Sequence, residues 1–92
     1  MLDITKIIAE SLGTFMLVLA VLMFKNPVFI AAGFLLAIYG SGDYSGGHIN
    51  PAVSIAQVVN GTLPASALPG YISAQLLGAL VAVFVAKRLR KA

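Results

Sequence analysis

The sequence predicts an all-α integral membrane fold of three transmembrane helices and one re-entrant half-helix. Three observations predict it. First, the 92 residues are 60% hydrophobic and only 10% charged. A domain this small buries only about 60% of the surface its unfolded chain exposes, so lipid is the natural solvent for the remainder. Second, three apolar runs, residues 4–24, 28–41 and 70–86, are separated by breakers, and the first has the ~20 residues a span requires. Third, a glycine-rich stretch and a short, well-signalled helix stand between the second and third runs.

The first run, residues 4–24, carries Lys6 at its edge and Glu10 inside it. Lys25-Asn26-Pro27 interrupts it, because proline biases the residue before it away from helix. The second run begins at Val28 and is expected to stay helical to about Ser41. Gly40, Gly42, Gly46 and Gly47 follow within eight residues, a density that predicts irregular backbone. A helix then starts with Asn50 at the N-cap position and Pro51 at the first helical position, and stops at Asn60-Gly61. Residues 51–59 would extend about 14 Å, roughly half of a ~30 Å hydrocarbon core. Residues 42–60 therefore read as a loop and half-helix that enter the bilayer without crossing it. The third run, residues 70–86, ends at a basic cluster. No internal repeat is visible, and the whole chain, 1–92, reads as a single unit.

The charge pattern excludes several function classes. The net charge is +3, yet Lys87, Arg88, Arg90 and Lys91 supply four of the six cations. A basic cluster directly after an apolar run suits lipid headgroups. No aromatic residues interleave with it, so nucleic acid is not expected as a partner. The first run is too long, and carries Glu10 too early, for a cleavable signal peptide. The chain has no cysteine, hence no disulfide framework and no thiol chemistry. Asp43 and His48 have no nucleophile or metal-ligand set beside them, so neither an enzyme nor a cofactor or metal site is expected.

Irregular backbone at membrane depth is tolerated only where it is buried in protein or lines a watery cavity. The glycine-rich loop and half-helix therefore point to a lumen. The half-helix N-terminus carries unpaired N–H groups and a partial positive charge. Aimed at a pore, it would orient water oxygens and repel cations. Asn50 suits that tip: its side-chain oxygen can cap the helix while its NH2 group remains free to donate.

Ser45-Gly46-Gly47-His48-Ile49-Asn50-Pro51-Ala52-Val53-Ser54 resembles the first-repeat loop of the aquaporin and aquaglyceroporin family. Ala9-Glu10-Ser11-Leu12-Gly13-Thr14-Phe15 resembles the start of that family's first helix, and Tyr71-Ile72-Ser73-Ala74-Gln75-Leu76-Leu77-Gly78-Ala79 its third. The motifs occur in order and cover nearly the whole chain. The resemblance implies a multi-pass protein, with the cell membrane as its expected location, that passes water or small neutral solutes such as glycerol. It implies that Asn50, Pro51, Ala52, His48 and Gly47 line the pore. Its filter positions, transferred by their distance from Asn50, are Ile30, Ile38, Gly47 and Val53. The family places arginine at the position equivalent to Val53 in its second repeat, so an apolar, wider filter is expected here. The family carries two inverted repeats and this chain has one. The pore would then need an inverted second copy, or a second protein, and a four-pore array of paired chains would need eight.

Other residues carry alternatives. Asn50 could cap a helix and do no more. His48 could relay protons, since histidine titrates near neutrality, but reads better as a hydrogen-bonded structural residue. A carboxylate inside a span is rare and is usually paired or functional. The resemblance implies that Glu10, and Gln75 with it, brace the loop rather than carry protons. Gly13, Gly33, Gly78 and Ala82 are expected to allow close helix approach. Lys25 and the four terminal cations fall on one side of the membrane and Lys6 on the other, which predicts a cytoplasmic C-terminus. The family's first repeat lies the other way up, and a self-paired pore requires both orientations. The rival to a passive channel is a non-conducting structural or regulatory membrane unit that associates with another channel half.

Overall fold

The computed structural model describes residues 3–91. Four α-helices follow in order: α1, Ile4–Met23; α2, Pro27–Ser45; α3, Pro51–Val59; and α4, Leu68–Lys91, with a 3-10 turn at Ala65–Ala67 leading into α4. The long axis is 42 Å, matching the ~40–45 Å of a bilayer with its headgroups. Helices α1, α2 and α4 are each long and apolar enough to cross a membrane. The chain is an all-helical, multi-pass integral membrane protein.

Each helix start has a local cause. Asp3 caps α1 by accepting from the Thr5 and Lys6 N–H groups. Asn26 caps α2 through Val28 N–H, with Pro27 at the first helical position. Asn50 and Pro51 repeat that arrangement at α3. In both cases proline occupies a site whose N–H has no helical partner anyway.

The second helix corrects the sequence expectation. Gly40 and Gly42 do not end α2 near Ser41; the helix continues to Ser45. Packing outweighs propensity here. Ala37, Ser41 and Ser45 recur every fourth residue and are buried, giving α2 a narrow face of small residues against α1. The Ser41 hydroxyl donates to Ala37 O at 2.7 Å, within the helix. Termination falls to Gly46, whose φ of 89° places it in the left-handed region that favours glycine. The third span is likewise longer than the expected 70–86. Leu68 and Pro69 form its first turn, and the basic segment remains helical through Lys91. Lys and Arg are good helix formers, and cations are favourable at a helix C-terminus.

Three glycines set the helix spacing. A Cβ at Gly78 would collide with Ser11 O and approach Phe15 N to 3.0 Å, so α4 lies directly on the α1 backbone. A Cβ at Gly33 would stand 2.5 Å from Ala20 Cβ, where α2 crosses α1. A Cβ at Gly13 would stand 2.7 Å from Ile49 Cγ2. The α4 residues Tyr71, Gln75, Gly78, Ala82 and Ala86, spaced at helical intervals, are all buried. Ala82 thus joins the glycines in packing within the chain. Helices α1 and α4 run side by side in the same direction, since Glu10 meets Gln75 and Ser11 meets Gly78.

Candidate functional site

A buried carboxylate sits where all four helices converge. Glu10 is fully buried, two turns into α1. Its Oε1 accepts from Ile49 N at 2.8 Å and from Gln75 Nε2 at 2.9 Å. Its Oε2 accepts from His48 N at 3.0 Å and from Ser45 Oγ at 2.6 Å. A carboxylate has only acceptors to offer, and all four partners are donors. Buried charge is tolerated only with such compensation. In return, two N–H groups of irregular backbone gain partners that neither helix nor lipid would supply.

The loop needs this support because its backbone is unusual. Gly46, Gly47 and Ile49 have φ of 89°, 64° and 47°. For Ile49, a β-branched residue, that conformation is costly, on the order of 1–3 kcal/mol. Two contacts offset it: the hydrogen bond to Glu10, and a side chain that is only 1% exposed and packed at Gly13. The glycine at 13 leaves room for that isoleucine, so the α1 sequence and the loop conformation are matched.

Gln75 extends the network. Its Nε2 also donates to Ser54 Oγ at 2.8 Å, in the second turn of α3. The same Ser54 oxygen lies 3.0 Å from His48 Nδ1. Ser54 is fully buried, and its hydroxyl bonds both Gln75 and His48. The ring stacks at 4.7 Å on Tyr71, whose hydroxyl donates to Ser45 O at 2.7 Å. One polar network therefore ties α1, the end of α2, the loop, α3 and α4 together. Two buried polar atoms, Thr14 Oγ1 and Gln75 Oε1, have no hydrogen-bond partner among the described residues.

The tip of α3 is left open. Asn50 Oδ1 accepts from Ala52 N at 2.8 Å, which leaves the side-chain NH2 uncommitted. Asn50, Pro51 and Ala52 are exposed, and Val53 is 39% exposed. Gly47 is half-buried in the turn. The remaining two filter positions lie on α2, Ile30 half-buried and Ile38 37% exposed. Ile30 is in the first turn of α2, about 22 Å along the helix from the loop at its far end. A single chain therefore does not bring Ile30 to Gly47 and Val53.

Sequence reasoning did not assign roles to Ser45, Ser54 and Tyr71. The available signals were faint. Tyr71 lies one turn before Gln75 on the same face of α4. Ser54 follows Asn50 by one turn in the same way. Nothing local marks Ser45 as a partner of a residue 35 positions away.

The major intrinsic protein family model matches residues 2–92. The chain is 46% identical over 86 residues to glycerol uptake facilitator protein-like 6 of Lactiplantibacillus plantarum, covering 84% of this chain and 40% of that protein. It is 42% identical to human aquaporin-9, covering 80% of this chain and 30% of that protein. It is 44% identical to aquaglyceroporin-2 of Rhizophagus irregularis, with 84% and 29% covered. The chain thus spans between about three tenths and two fifths of the length of these relatives. With its three spans, its capped half-helix and a family match across nearly its full length, the chain belongs to the major intrinsic protein family.

Proposed function

We propose that this chain forms half of a passive transmembrane pore for water and small neutral solutes such as glycerol, completed by a second copy inverted in the membrane. The observation that carries the reading is the free donor at the exposed, Asn50-capped tip of α3. Asn50 spends its oxygen on Ala52 N–H and keeps its NH2 group for another acceptor. Unpaired N–H groups and the helix dipole favour an oxygen in front of the tip and disfavour a cation. The Glu10 network supports the loop that leads into that tip. No bond is made or broken in the solute, so the protein has only to replace hydrogen bonds of water.

Inversion supplies what one chain lacks. Two antiparallel copies set one α3 tip against the other. Each mouth then combines Ile30 of one copy with Ile38, Gly47 and Val53 of the other. That lining is apolar apart from backbone, which suits a solute with carbon-bound hydrogens as well as water. The name of the relative from Lactiplantibacillus plantarum refers to glycerol uptake, and glycerol is the test solute of choice.

Osmotic swelling of proteoliposomes tests permeation. The expected result is water or glycerol permeability well above the lipid baseline, falling toward that baseline for Asn50→Ala. Baseline permeability for both proteins would instead favour a non-conducting unit. Thiol labelling of cysteines placed singly at each end of the chain tests the pairing, since both orientations must be present. One orientation alone would assign the second half to another polypeptide.

A further inference from the structure

The outward face of α4 changes chemistry abruptly along its length. Helical residues are about 100° apart. On that spacing Leu76, Leu80, Phe84, Lys87 and Lys91 share one stripe, and all five are exposed. Arg88 and Arg90 flank its basic end and are also exposed. The buried residues from Tyr71 to Ala86 occupy the opposite face, against α1. The cations therefore point away from the bundle. Phe84 and Lys87 are about 4.5 Å apart along the axis, so the change from apolar to basic occurs within one turn.

The same end of the molecule holds a fifth cation. The pairing of Glu10 with Gln75, 65 positions apart, sets the register of the two parallel helices. It brings Lys25, in the turn after α1, level with Arg90. The three acidic side chains, Asp3, Glu10 and Asp43, lie toward the other end. Asp3 caps the start of α1 and Asp43 is in the last turn of α2. Among the described residues, no acidic side chain lies at the basic end.

We infer that the outer stripe of α4 is a binding site for an anionic phospholipid. The acyl chains lie along Leu76, Leu80 and Phe84, and the headgroup phosphate sits among Lys87, Arg88 and Lys91. The cations provide the selectivity. A zwitterionic headgroup carries its own cation and gains less from this cluster than one with net negative charge. In an inverted pair each copy presents its stripe to the leaflet at its own basic end, so the site does not depend on pairing. It is equally independent of permeation.

The chain has no tryptophan, so Phe84→Trp gives a single reporter in the middle of the stripe. The full chain carrying F84W is placed in vesicles of phosphatidylcholine and phosphatidylglycerol, with brominated acyl chains on one lipid or the other. Quenching should give a relative binding constant about fivefold or more in favour of phosphatidylglycerol. Adding K87Q, R88Q and K91Q should bring the ratio close to one, whereas adding K87R and K91R should preserve it. Far-UV circular dichroism checks that each variant is folded. Equal quenching by the two lipids overturns the proposal, as does a preference that survives removal of the cations. Quenching by neither lipid overturns it too, since the stripe would then be covered by protein. Swelling rates play no part in this readout, so its failure is separable from failure of the pore reading.

Discussion

Glu10 concentrates the physics of this chain in one side chain. It accepts four hydrogen bonds from three other segments while fully buried. Glu10→Gln replaces one acceptor oxygen with an NH2 group that faces donors. At least one backbone N–H of His48 or Ile49, or a side-chain donor, then loses its partner. The expected cost is about 3 kcal/mol, as for a buried charge-assisted bond removed from one side. Unfolding monitored by circular dichroism in mixed micelles checks it, and unchanged stability would mean that the loop is held by packing alone. Thr14 gives the converse case. Its buried hydroxyl has no partner, so Thr14→Val removes an unsatisfied group at nearly constant shape. It should leave stability unchanged or raise it by up to about 1 kcal/mol in the same assay. A clear loss would show that the hydroxyl is bonded in solution. At this scale the sequence was legible in part. The carboxylate inside an apolar run, and the Asn50-Pro51 pair, were conspicuous in themselves. Ser45, Ser54 and Tyr71 were not, because each acquires its role only when segments more than twenty positions apart meet.

Helix boundaries follow a similar division. The ends of α3 are encoded locally, by Asn50 and Pro51 at one end and Asn60-Gly61 at the other, and so could be read directly. The end of α2 could not. Gly40 and Gly42 weaken a helix intrinsically, but the buried Ala37, Ser41 and Ser45 face and the Ser45 bond to Glu10 carry it four residues further. Contacts with α1 decide that length, and propensity cannot report them. Interhelical spacing permits a sharper test. Gly33→Ala would press two methyl groups together at Ala20, with an expected cost of about 1–3 kcal/mol. Adding Ala20→Gly removes the opposing methyl and should recover most of the loss. Gly78→Ala should cost at least as much, and no single side-chain truncation on α1 should rescue it, because its obstacle is the Ser11 and Phe15 backbone. A double-mutant cycle by thermal unfolding distinguishes the two cases. Equal rescue at both positions would contradict this account of the interfaces.

At the scale of the whole molecule, the proposed half-pore is one side of an enclosure. Helix α2 packs closely along one narrow face, while Phe29, Phe34, Leu35, Leu36, Ile38 and Tyr39 remain exposed. A span has many sides for lipid, but a polar helix tip at membrane depth needs something other than lipid in front of it. Asn50 and its free NH2 group therefore demand a lumen or an opposing protein surface. The proposed self-pairing by inversion would meet both demands with one chain, and would bring Ile30 to Gly47 and Val53. The fold class was legible from hydropathy and from the length of α3 alone. The proposed pairing was not, because nothing local in the repeat encodes what its α3 tip faces.

The most direct test exploits the absence of cysteine from the chain. Asn50→Cys places a single thiol at the α3 tip, and a short bismaleimide is applied to the protein reconstituted in vesicles. Opposed tips predict a covalent dimer in high yield. Ile4→Cys, at the far end of α1, should give little dimer, because inversion sends the two copies of that end to opposite faces of the bilayer. Efficient dimerisation through Ile4→Cys with none through Asn50→Cys would contradict the inverted half-pore.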